Sequence, residues 1–98
     1  MEQPTFTRSW HVEFKGLRSK DSMLKKIATA LEFPPHFGGN LDALYDCLTE
    51  LPLKKGQRYA VYLDELEHGG AGDAVYTVFV DAREWWADEG VTLVLKRE

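Results

Sequence analysis

Tyr59-Ala60-Val61-Tyr62-Leu63, a ladder of Val75, Val78, Phe79, Ala82, Trp85 and Trp86, and then Val91-Thr92-Leu93-Val94-Leu95: these segments of residues 59–95 decide the fold. The first is a short apolar run with charged flanks, and it reads as a strand. The ladder has the i, i+3, i+4, i+7, i+10, i+11 spacing of one helix face. Asp73 is its expected N-cap and Gly90 its C′ residue, where a left-handed backbone ends a helix at little cost. The last segment is nearly apolar on both faces, the pattern of a central parallel strand. A helix between two strands returns the chain in the same direction, so the strands should pair in parallel through a right-handed crossover.

Upstream, Trp10-His11-Val12-Glu13-Phe14 alternates apolar and polar residues as a half-buried strand does, and Gly16 ends it. Met23, Leu24, Ile27, Ala28 and Leu31 recur at helical spacing, with Ser19, Asp21 or Ser22 as N-cap candidates. Pro34-Pro35 stops that helix. Gly38-Gly39-Asn40 is a turn ending in a good N-cap, and a second helix runs to about Leu51 before Pro52. Asp64 to Gly72 reads as a loop. The order of strand, helix, helix, strand, loop, helix, strand implies a compact α/β domain built on a three-stranded parallel sheet.

With 98 residues, 44% of them hydrophobic, the chain can bury one core and not two, so residues 1–98 are read as a single domain. The longest apolar runs are about five residues, against the roughly 20 that a membrane helix needs. Met1-Glu2-Gln3-Pro4 has no basic stretch followed by an apolar one, so no secretory signal is expected. Cys47 is the only cysteine, which excludes an internal disulfide and a four-cysteine zinc site. These features lead to the expectation of a cytoplasmic protein.

The net charge of −4 conceals a segregation of signs. Residues 27–53 contain Glu32, Asp42, Asp46 and Glu50 and no Lys or Arg, while residues 59–95 hold eight acids against Arg83. Such a surface repels nucleic acid and attracts a basic partner. The second helix concentrates the effect. Leu41, Leu44, Cys47, Leu48 and Leu51 form its expected core stripe, and Asp42, Asp46 and Thr49 at i, i+4, i+7 form an outward face with Tyr45 at its edge. Carboxylates at i, i+4 repel by a few tenths of a kcal/mol, and no base within the helix relieves them. From these residues alone, a solvated face and a site for a cationic partner both remain open.

Other signals point elsewhere less well. Glu67-His68-Gly69-Gly70-Ala71-Gly72-Asp73 is glycine-rich ahead of a helix, like a phosphate loop, but it has no Lys and is flanked by acids. Asp64, Glu65, Glu67 and His68 have the composition of metal ligands without a recognised spacing. No cofactor or metal is expected. Trp85 and Trp86 read as core and helix-edge packing.

The run Phe33-Pro34-Pro35-His36-Phe37-Gly38-Gly39-Asn40-Leu41-Asp42-Ala43-Leu44-Tyr45-Asp46-Cys47-Leu48-Thr49 closely resembles the signature segment of the barstar family, intracellular protein inhibitors of barnase-type ribonucleases. The resemblance extends more weakly over about residues 10–95. It implies a barstar-like fold, a three-stranded parallel sheet packed with three to four helices. It also implies a non-enzymatic inhibitor that plugs the nuclease active site with the second helix and the loop before it. By this resemblance Asp46 takes the place of an RNA phosphate, Asp42 adds charge-assisted contacts, Thr49 adds a hydroxyl contact and Tyr45 packs at the rim. His36, Phe37 and Gly38 belong to the plugging loop, and Asp81 falls where the family has a Glu that pairs with a nuclease arginine. The chain departs from the family in several places. His36 stands for a tyrosine, Tyr45 for a tryptophan and Leu51 for an aromatic residue, and the last helix is about one turn longer, with Trp85-Trp86 in the added length.

The leading expectation is therefore a one-to-one inhibitor of a basic, secreted microbial ribonuclease, with no direct nucleic acid or membrane binding. The alternative on the same scaffold is an immunity or regulatory module for another basic protein, such as a toxin of unrelated fold. An enzyme using Asp46, Asp81 and His36 is disfavoured, because no nucleophile, metal set or substrate loop accompanies them.

Overall fold

The computed structural model describes residues 5–98, and its elements run β1 (Arg8–Glu13), α1 (Lys20–Ala30), α2 (Leu41–Thr49), β2 (Arg58–Asp64), α3 (Gly70–Asp88) and β3 (Thr92–Arg97). The strands form one parallel sheet in the order β1-β2-β3, with Trp10 opposite Val61 and Val61 opposite Leu95. The expected three-stranded parallel α/β architecture is present, with three helices.

The expected place of the last strand is corrected. Val91-Leu95 reads as a central strand, yet β3 lies at an edge and β2 occupies the centre. Tyr59, Ala60, Val61 and Leu63 of β2 are all buried, whereas Val94 and Leu95 of β3 are only half-buried. Leu93 and Leu95 of β3 face the core that α3 covers, while Val94 alternates to the other sheet face. Central position follows from having a neighbour on each edge, which a hydropathy pattern does not encode.

One sheet face carries Trp10, Val12, Tyr59, Val61, Leu63 and Leu93, packed into a core with Met23, Leu24 and Ile27 of α1 and Val75, Phe79, Ala82 and Trp86 of α3. The other face presents His11, Tyr62 and Lys96 in one register row, with the His11 and Tyr62 rings stacked at 4.3 Å. Leu44 and Leu48 of α2 join the core, and the helix as a whole lies against α3.

Local chemistry sets the helix ends. Ser19 is the N-cap of α1, its Oγ accepting from Ser22 N at 3.1 Å, and Asn40 caps α2 by accepting from Ala43 N at 2.7 Å. α1 ends at Ala30, before the two prolines, and Glu32 takes a left-handed φ of 57°. α2 stops at Thr49, two residues short of the expected Leu51. The residue before a proline is pushed out of the helical region, so Leu51 cannot continue it.

α3 starts earlier than expected. Gly69 is its N-cap with φ 86°, and Asp73 lies in the first turn instead of capping it. The Asp73 carboxylate accepts from Arg97 Nη2 at 2.6 Å, and the same Nη2 donates to the Glu67 carbonyl at 2.7 Å. The hydrogen bond from Arg97 holds the Asp73 carboxyl below its ordinary pKa. Stability from this pair is therefore present above the ordinary carboxylate range and is lost as pH falls through the lowered pKa.

The glycine-rich segment has a packing explanation. A Cβ on Gly72 would lie 1.8 Å from the Glu67 carbonyl oxygen, so only glycine lets the loop fold over the start of α3. Gly72→Ala is expected to lower stability by about 1–3 kcal/mol, the usual cost of forced overpacking. Urea unfolding with an unchanged m-value would register it.

Candidate functional site

α2 is held against α3 by a specific bond. Trp86 Nε1 donates to the Leu48 carbonyl at 2.9 Å in a buried setting, satisfying one of the carbonyls left free at the end of α2. Trp86 is 7% exposed and Leu48 fully buried, so the bond lies in the core and fixes which edge of α3 faces α2.

Beside this seam an open groove of about 300 Å³ is lined by Leu41, Asp42, Tyr45 and Asp46 of α2 and by Val78 and Asp81 of α3. The sequence places Asp42, Asp46 and Tyr45 on one helix face, and the structure adds Asp81 from 35 residues further along the chain. The three carboxylates are exposed, and no Lys or Arg lines the groove. Asp42 lies in the first turn of α2, where the positive end of the helix dipole favours it. Asp46, one turn on, has no such support.

A second, smaller groove of about 190 Å³ lies on the other side of Asp46, lined by His36, Phe37, Gly38, Ala43, Asp46, Cys47 and Glu50. Asp46 lines both grooves and is the side chain they share. The loop that bounds the second groove is shaped by its own packing. Phe37 tilts against Phe33 with ring centroids 5.2 Å apart, and Gly39 takes φ 69° before the Asn40 cap. His36 is exposed on this loop.

Thr49 lines neither groove. Its hydroxyl sits 3.0 Å from the Tyr45 carbonyl and 3.2 Å from that of Asp46, so its proton is given to its own helix. Cys47 departs from the expected core stripe. It is half-buried and lines the loop-side groove, and burial together with Glu50 and Asp46 raises its thiol pKa. The neutral thiol is the less reactive form. Leu41 and Leu51 are also half-buried, leaving Leu44 and Leu48 as the buried residues of α2.

Glu50 is the residue that sequence reasoning left out of the site. It follows Asp46 by one turn, so the i, i+4 spacing that picked out Asp42 and Asp46 could have found it. Among the described residues no three His, Cys, Asp or Glu side chains converge as a metal site, Asp64, Glu65, Glu67 and His68 included. Among the described residues no helix is long and apolar enough to cross a membrane.

The arrangement has no nucleophile or general base in a closed pocket. It presents a ridge of negative charge between two open grooves, a shape that fits cationic groups projecting from another molecule. The family model described as Barstar (barnase inhibitor) matches residues 7–98, nearly the whole chain.

Gathering like charges costs the free protein a little. Asp46→Asn is expected to leave the unfolding midpoint unchanged or raise stability by a few tenths of a kcal/mol, since it removes an i, i+4 repulsion. Thermal or urea melts of the purified variant check this.

Proposed function

This chain belongs to the barstar family, whose members are ribonuclease inhibitors and not enzymes, and we propose that it binds a basic secreted ribonuclease one-to-one and blocks its active site from the producing cell's cytoplasm. The observation that carries the proposal is the grouping of Asp42, Asp46 and Asp81, from two helices, around one groove with no base among its lining residues.

An RNA-cleaving site must bind a phosphate, and it does so with arginine, lysine and protonated histidine in fixed positions. Asp46, shared by both grooves, enters that cluster as the phosphate substitute. Its carboxylate then accepts short charge-assisted hydrogen bonds in a setting from which water has been displaced. Asp42 and Asp81 flank it and neutralise further cations. Tyr45 packs at the rim of the first groove. His36, Phe37 and Gly38 fill the base-binding side of the nuclease, and Thr49 keeps a lone pair free to accept a hydrogen bond.

The same charges govern approach. An acidic ridge and a cationic cleft steer one another over distances up to the Debye length, about 8–10 Å at physiological salt. The barnase–barstar pair is itself the standard example of such steering.

Asp46→Ala is expected to weaken inhibition of barnase by about 2–5 kcal/mol, the general range for truncating one partner of a buried charge pair and leaving the other unpaired. The loss should fall mainly in the dissociation rate, with the unfolding midpoint close to that of the parent. Raising salt from 50 to 500 mM should slow association of the parent protein steeply. Stopped-flow kinetics reads both. Equal affinity for parent and variant would remove the phosphate-substitute role.

A further inference from the structure

Trp85 is the one large hydrophobic side chain among the described residues that is exposed, at 39%, while Trp10 and Trp86 are 5% and 7% exposed. Its position on α3 is specific. Trp85 follows Asp81 by four residues and Val78 by seven, so all three project from the same edge of the helix. Val78 and Asp81 line the groove with Asp42, Tyr45 and Asp46, and one residue past Trp85 the Trp86 indole binds the end of α2. Moving along the seam from Asp42 toward Leu48, the groove-lining edge of α3 therefore continues from Asp81 to Trp85.

The ring is also held in place. It meets Trp86 edge-on, with centroids 4.9 Å apart and planes at 85°, and Trp86 is anchored in the core. Ordering such a side chain on binding costs little entropy. Within four residues of Trp85 the helix and its cap carry Asp81, Glu84, Asp88 and Glu89 against the single base Arg83. Cations of this chain lie over other aromatic rings: Arg8 over Trp10, Arg58 over Phe6 and Arg97 over Tyr76. Among the described residues none covers Trp85.

We propose that Trp85 extends the ribonuclease-binding face along α3 and serves as its aromatic anchor, stacking against an arginine or lysine side chain on the rim of the basic nuclease. This rests on the function proposed above. An exposed indole on a helix stretch with more carboxylates than bases is a good receptor for a guanidinium, through cation–π attraction and burial of its aliphatic stem. Aromatic anchors of this kind carry a large share of the binding energy at protein interfaces.

The test measures binding of barnase to the parent, Trp85→Ala, Trp85→Phe and Asp46→Ala, with thermal melts of each. It also maps hydroxyl-radical oxidation of Trp85 in the parent, free and in complex, by mass spectrometry. Trp85→Ala should bind roughly ten-fold or more weakly, Trp85→Phe should stay within a few-fold of the parent, and Trp85 should be protected from oxidation in the complex. If Asp46→Ala weakens binding while Trp85→Ala does not, or if Trp85 oxidises equally in both states, the anchor is refuted and the inhibitor reading stands. If the parent fails to bind barnase, or Asp46→Ala binds as the parent does, the functional reading falls and the anchor with it.

Discussion

The hydrogen bond from the Trp86 indole to the Leu48 carbonyl is the constraint on which the acidic site depends. α2 lies against α3 through the buried Leu44 and Leu48, and this bond ties its end to Trp86. One partner is the end of a short helix whose last carbonyls need donors, and the other is an aromatic residue whose ring fills the core. With that register fixed, Asp42 and Asp46 on α2 meet Asp81 on α3 across one groove.

The rest of the fold supplies what this arrangement costs. Like charges gathered without a base are mildly unfavourable in the free protein. The deep core of Phe14, Met23, Leu24, Ile27, Leu44, Leu48 and Phe79 easily outweighs that repulsion. Two arginines are engaged away from the groove. Arg8 pairs with Glu32, and Arg97 ties Asp73 and the Glu67 carbonyl to the start of α3. The groove between α2 and α3 has no Lys or Arg among its lining residues, so its carboxylates meet no neutralising base there.

Much of this could be read from the sequence, and the reasons differ by element. The α2 face was legible because helical spacing is rigid: once Asn40 and Pro52 bound the helix, Asp42, Asp46 and Tyr45 must share a side. The long helix was legible from its apolar ladder, but its start was not. Asp73 has the look of an N-cap, yet Arg97 takes its carboxylate, a partner 24 residues away that no local pattern reveals. The place of β3 at the sheet edge was hidden because an edge strand packed on one side can be as apolar as a central one. By its angle on the helix Cys47 belongs to the core stripe. The loop carrying His36 and Phe37 stops short of covering it, leaving the thiol on a groove wall. Asp81 is reached from the sequence only through family resemblance, since helix pairing is a tertiary fact.

The central claim is that the ridge around Asp46 occupies the phosphate-binding site of a ribonuclease, and inhibition kinetics tests it most directly. In cleavage of an RNA oligonucleotide by barnase, the apparent inhibition constant of this protein should rise linearly with oligonucleotide concentration, because inhibitor and substrate phosphate compete for the same cations. An apparent inhibition constant independent of oligonucleotide concentration would contradict the account, since the chain would then be acting away from the phosphate site.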